Sequence, residues 1–426
     1  MIWPLALLLT LASGPKPLMR DFIGLNTHTI QFRPDLYWPV AHIVRDYHPV
    51  IWDLGNDPTN ATRFPFTPEG ISWNQVYGPW KQAGYHIDVT AMYDTISADK
   101  WTDVPHQAFA YGESFARFFG PSGDSKFVDS LEIGNEPSKS TAAQYRQMFE
   151  SMARGVRQGD PKMLIATCAV ALGDKDPYSK DVNCLNGLQS LYDILNVHTY
   201  AFKSYWPTWE RSNPEDPATT FLKIPQQIID WRNANAPGKQ VWVTEFGWDS
   251  STKPAAKTGD MSKWVGSTDT EQAQFIVRAY LLFAAMDLQR AYLFWFNDSD
   301  EPSLHAASGL TRNFVPKPSF YAVTHLLQTL GDYRFDRVLV KDQDGAYAYK
   351  FKHRSRSGDS IVAVWMGTRH GEKTEVTLPA LGGKVVRAER MPLTPKLAET
   401  VPFRTTADGK VTVEVDGSPV YLWIKN

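Results

Sequence analysis

Strand-like apolar runs alternate with segments of helical periodicity between residues 21 and 330, and this alternation restricts the fold more than any other feature of the chain. The strand patterns fall at residues 21–26, 50–54, 86–92, 128–133, 163–167, 191–200, 241–246 and 290–296. Helical patterns cover 36–47, 72–82, 105–119, 141–158, 221–235, 270–286 and 319–330. In the fourth of these, Tyr145, Met148, Phe149, Met152 and Val156 recur at three- and four-residue steps, the spacing of one helix face. Strands that alternate with helices imply a parallel sheet. Eight such units predict a (β/α)8 TIM barrel over residues 20–332, in which a site forms at the C-terminal ends of the strands.

Two of those strand ends carry glutamates. Residues 128–137 read V-D-S-L-E-I-G-N-E-P: Val128, Leu131 and Ile133 alternate with polar residues, and Pro137 stops the ladder. That places Asn135 and Glu136 at a strand tip. Residues 241–248, V-W-V-T-E-F-G-W, repeat the arrangement with Glu245 before Gly247. Two carboxyls at strand ends are what a two-carboxylate glycosidase needs, one to donate a proton and one to act while charged. Singly, Glu136 could cap the next helix and Glu245 could be an exposed loop carboxylate; their matching positions favour catalysis. Glu132, deeper on the same strand, reads as a paired carboxylate of the barrel core.

The rest of the chain narrows the function class. A net charge of −2 gives no general attraction to nucleic acid or anionic membranes. With 15 Trp and 18 Tyr, the chain has flat apolar faces to spare for stacking on sugar rings. Cys168 and Cys184 make no zinc site, and a disulfide and two free thiols are both open. Residues 1–14 have an apolar run ending in small residues, like a secretory leader, too short to span a bilayer, and no later segment reads as transmembrane. This predicts a secreted or periplasmic protein. Residues 333–426 change to short alternating strands with Gly, Asp and Pro turns, which predicts a C-terminal β-sandwich bracing the barrel. Loop 250–267, with Trp264, reads as a lid or cleft wall. Asp298, Asp300 and Glu301 read as a solvated loop rather than a calcium site. No metal or cofactor is expected.

The motifs Asn135-Glu136-Pro137 and Thr244-Glu245-Phe246-Gly247 resemble the signature of clan A of the retaining glycoside hydrolases. The likeness spans the barrel and extends to G-L-T-R-N-F-V-P-K-P-S-F-Y-A at residues 309–322. With the β-sandwich, it is most similar to glycoside hydrolase family 39 and its relatives. The resemblance implies Glu136 as general acid/base, Glu245 as nucleophile and Asn135 on the 2-hydroxyl of the bound sugar. It implies that His198 and Tyr200 follow the sixth strand, with Tyr200 bonded to the nucleophile. Trp295, on the eighth strand, would be a stacking platform, and His28 would line the same subsite. The clan often has an arginine on its second strand; residues 50–54 hold none, so Trp52, Asp53 or Asn56 would line the pocket instead. Tyr93, Asp94, Trp101, Trp206, Trp209, Trp248 and Trp264 are further cleft candidates. The expected activity is cofactor-free double displacement on a polysaccharide or oligosaccharide. Long aromatic loops such as 201–217 favour endo action, and a monomer is the default. The alternatives are an exo-acting xylosidase-like enzyme and a non-catalytic carbohydrate-binding protein.

Overall fold

Eight strands form a closed parallel barrel: β1 (Ile23–Thr27), β2 (Ile43–Pro49), β3 (His86–Met92), β4 (Val128–Ile133), β5 (Leu164–Ala171), β6 (Ile194–His198), β7 (Gln240–Phe246) and β8 (Arg290–Leu293). Each pairs with the next, and β8 returns to β1 with Ile23 opposite Ala291. The computed structural model describes residues 15–173, 176–367 and 371–425; the leader-like residues 1–14 lie outside the described residues. Burial on both faces explains the near-continuous apolar runs of strands such as β5, buried at all but its two end residues. The helix Ala142–Gly159 begins at Thr141, whose side chain and that of Gln144 form a reciprocal cap contributing about 1 kcal/mol. Its face of Tyr145, Met148, Phe149, Met152 and Val156 is buried.

The second unit departs from the sequence expectation. Residues 36–47 are not one helix: a single turn, Pro34–Tyr37, precedes β2, and Val50–Leu54 is a helix rather than a strand. Arg45, Asp46 and His48 make β2 look like the polar face of a helix. All three are buried, and each has a partner: Glu132 for Arg45, Tyr77 for Asp46, and Tyr77 and Asp53 for His48. A strand whose polar residues are satisfied by its neighbours loses its apolar signature. The last strand is also shorter than its pattern, so Trp295 lies beyond the end of β8.

After the barrel, two antiparallel sheets face each other. The larger has six strands, Tyr333–Gln343, Ala346–His353, Ser360–Met366, Val420–Lys425, Lys384–Arg390 and Glu399–Thr400; the smaller has Thr374–Leu378, Val411–Val415 and Phe403–Thr405. Strand alternation divides their cores. Val362, Val364, Leu378, Val413 and Leu422 fill the space between the sheets, while Ile361, Ala363, Trp365 and Tyr421 join the barrel's apolar core. The contact has a polar pin. Glu215 accepts from Arg278 Nε (2.9 Å) and from Trp365 Nε1 (2.7 Å), and the carboxylate and guanidinium are both buried. No disulfide joins Cys168 and Cys184. Among the described residues no helix is long and apolar enough to cross a membrane.

Candidate active site

Gly134 ends β4 with φ at +83°, and a Cβ there would stand 2.9 Å from the Tyr93 ring. Only glycine makes this turn cheaply, and the turn delivers Asn135 and Glu136 to the barrel mouth. Glu245 sits one residue before the end of β7, and its backbone oxygen accepts from Thr199 N–H at 3.0 Å. The two carboxylates meet there. One oxygen of each and a ring nitrogen of His198 all lie within 4.8 Å of one another. His198 Nδ1 is 2.7 Å from Glu136 Oε1 and 3.6 Å from Glu245 Oε2.

The two acids sit in different surroundings. The Glu136 side chain is 27% exposed and that of Glu245 7%. Tyr47 donates to Glu245 Oε1 at 2.6 Å and Tyr200 to Oε2 at 2.9 Å, while Arg45 Nη1 stands 3.4 Å from Oε1. Burial alone would raise the Glu245 pKa; the charges of His198 and Arg45 and the two hydroxyls outweigh it and hold it below the usual carboxylate value. Glu136 moves the other way. Burial raises it, His198 opposes only in part, and the charge of Glu245 adds to the rise. Burial works against protonation of His198, but Glu245 and Glu136 overcome it and raise its pKa.

Arg45 organises the floor beneath. It donates through Nε and Nη2 to both oxygens of Glu132 (2.8 and 2.7 Å), and also to Asn26 Oδ1 and Asn135 Oδ1 at 2.8 Å each. A guanidinium can only donate, so Oδ1 of Asn135 faces Arg45 and its Nδ2 faces away. Neither Arg45 nor Tyr47 was recognised from sequence, because β2 was read as helix. The signal was present: two residues apart on a strand, they share a face, and that face is the barrel interior.

Beyond Glu245 lies a crescent of rings. Phe294 stacks on Trp295 (5.3 Å between centroids, 10° between planes), and His28 meets Trp295 edge-on at 6.3 Å. His305 stands edge-on to both Tyr200 (4.8 Å) and Phe294 (5.7 Å). His28, Trp295 and His305 are half-buried.

Several expected site residues lie elsewhere. Asp53 is buried behind β2, where Trp73 Nε1 (2.9 Å) and Tyr111 Oη (2.8 Å) donate to it and His48 lies at 2.7 Å, so it cannot line the pocket. Trp248 is also core. It donates to Ser212 O at 2.8 Å and packs on Phe221, Phe246 and Phe275. Tyr93 is buried against the Gly134 turn, supporting the site from below rather than lining it. Trp101 and Trp264 are buried, whereas Trp206 is 67% exposed. Asp298 and Asp300 form no solvated loop: both are buried, paired with Lys317 (3.2 Å) and Arg312 (2.9 Å).

Among the described residues, Glu136, His198 and Glu245 are the one group with metal-ligand spacing. Arg45 and the two tyrosine hydroxyls already occupy Glu245, and the guanidinium would repel a cation. The donor set suits proton transfer better than metal binding.

No protein-family model and no curated protein matches the chain. Solved structures do. A family 39 glycoside hydrolase from Bacteroides cellulosilyticus is similar over 96% of this chain and 81% of its own, with a TM-score of 0.72 and 16% identity. A glucosidase from Croceicoccus marinus is similar over 97% of both chains (TM-score 0.65, 15% identity). A bifunctional glucanase–xylanase from a metagenome library is similar over 97% of both (TM-score 0.63, 12% identity). At these identities the likeness is one of fold: a (β/α)8 barrel carrying a C-terminal β-sandwich.

Proposed function

We propose that the protein is a retaining glycoside hydrolase acting by double displacement, with Glu136 as acid/base and Glu245 as nucleophile. The observation that carries this reading is the approach of the two carboxylates, with oxygens within 4.8 Å of each other. Retaining glycosidases hold their carboxyls about 5–5.5 Å apart, whereas inverting ones need about 6.5–9.5 Å to admit a water. The opposed pKa directions fit the same division of labour, a protonated acid beside a charged nucleophile.

In the first step Glu136 protonates the glycosidic oxygen as Glu245 attacks the anomeric carbon, and the leaving sugar departs. Esterification removes the Glu245 charge, so Glu136 then takes a proton from water, which releases the sugar from the enzyme. Arg45 keeps Glu245 ionised and turns the Asn135 Nδ2 toward the sugar. Tyr47 and Tyr200 fix the carboxylate plane. Trp295 offers a face for the ring.

The substrate proposed is an oligosaccharide or polysaccharide cut internally. Support comes from loop 201–217, where Tyr205 (59% exposed) and Trp206 continue outward from Phe202 and Tyr200. We further propose that the chain is exported, on the strength of its leader-like start, and works as a monomer. Hydrolysis of a glycan panel, with the first-formed anomer followed by NMR, tests the mechanism. Retention is expected, and an inverted first product would overturn double displacement.

A further inference from the structure

His305 lies on the loop after β8, outside every motif discussed so far. Its φ of +63° is in the left-handed region, which few non-glycine residues occupy. What holds the ring is visible. Its plane stands edge-on between Tyr200 and Phe294, and its Nδ1 lies 3.2 Å from Arg211 Nη2. Arg211 is itself fixed: it is buried, pairs with Asp249 (3.2 Å), donates to the Gly247 carbonyl and lies over the Tyr200 ring (4.5 Å).

This geometry sets the tautomer. A guanidinium has no acceptor, so Nδ1 of His305 must accept, and the neutral ring carries its hydrogen on Nε2. Burial first, and then the Arg211 charge, lower the pKa to about 4, which keeps the ring neutral near pH 7. Among the described residues no protein acceptor takes the Nε2 hydrogen. The ring is part of the crescent that surrounds Glu245. Tyr200 on one side donates to Oε2, and Phe294 on the other meets Tyr47, which donates to Oε1.

We propose that His305 is a specificity-determining residue whose Nε2–H donates to one hydroxyl oxygen of the sugar held over Glu245. The inference rests on the glycosidase reading and adds to it a neutral, orientation-fixed donor. Such a donor favours an uncharged sugar hydroxyl, because a neutral imidazole offers no net charge to attract a carboxylate or sulfate. Arg211 acts through His305 as a positioning residue.

The test compares wild type, His305→Phe and His305→Gln on the best glycoside from the panel and on its set of monodeoxy analogues. Phenylalanine keeps the ring and removes the donor; glutamine restores an N–H near the Nε2 position. His305→Phe is expected to lose about tenfold in kcat/KM on the parent, the effect of one neutral hydrogen bond. It should lose the same factor on every deoxy analogue except one, on which it matches wild type. His305→Gln should recover most of the loss. A uniform loss across all analogues, or none on the parent, overturns the inference while leaving the glycosidase reading intact. Wild type that hydrolyses no glycoside overturns both.

Discussion

The barrel mouth and the sandwich bury their residues by opposite rules. The buried cluster between the two C-terminal sheets is aliphatic, led by valines and leucines such as Val362, Leu378, Val413 and Leu422. The barrel mouth instead buries Asn26, Arg45, Glu132, His198 and Glu245 within one connected set of hydrogen bonds and ion pairs. Burying charge is expensive, and a well-packed apolar replacement is often no less stable. The sandwich therefore spends its residues on cohesion, whereas the mouth gives up stability to hold two acids at different pKa values. Substitutions in the mouth should move chemistry first; those in the sandwich should move stability alone.

The largest expected effect is at Glu245. Glu245→Gln keeps the shape and removes the attacking charge, so kcat should fall at least about 10⁴-fold. Oligosaccharide binding, followed by calorimetry, should persist. Turnover near wild type would move the nucleophile elsewhere. Glu136→Gln comes next, with a loss of about 10²–10⁴-fold on natural linkages. That variant also sharpens the pKa contrast. Wild-type kcat/KM should fall on the alkaline side as the raised Glu136 loses its proton, and on the acid side as the lowered Glu245 gains one. Glu136→Gln should abolish the alkaline limb on aryl glycosides whose leaving group needs no proton.

Arg45→Met tests both sides of the comparison at once. It leaves Glu132 buried without its partner, which should cost about 3–5 kcal/mol in urea unfolding. It also removes one of the two charges that depress Glu245, so the acid limb of the pH profile should move to higher pH. Stability loss without that movement would make Arg45 a brace for Glu132 only.

The same contrast explains what could be read from sequence. The sandwich and seven of the eight barrel strands were legible because apolar alternation reports directly on burial. The positions of Glu136 and Glu245 at the barrel mouth were legible because proline and glycine punctuate their strand ends. β2 was missed because its buried residues include Arg45, Asp46 and His48, whose burial depends on Glu132 and Tyr77 from distant parts of the chain. Asp53 and Trp248 were assigned to the pocket for their residue types. Which way a helix turns a side chain, or which backbone oxygen an indole finds, is decided by packing that no local pattern encodes. His305 lacked any signal, since its role depends on Arg211 almost a hundred positions away.

The smallest effect belongs to the dry side. Leu378→Ala empties a fully buried site on the smaller sheet, which should cost about 3 kcal/mol. Activity per folded molecule should nevertheless stay at the wild-type value at temperatures well below unfolding. The reason lies in where the sandwich touches the barrel. Its contacts with the loop that carries Arg211 include Trp365 bonded to Glu215 and the Gly367 carbonyl accepting from Asn213 at 3.2 Å, and Trp365 lies on the other sheet, facing away from Leu378. A cavity between the sheets thus leaves that pin in place. Loss of kcat in folded Leu378→Ala would mean that packing strain crosses the larger sheet to the cleft, and the division between a chemical mouth and a cohesive sandwich would have to be abandoned.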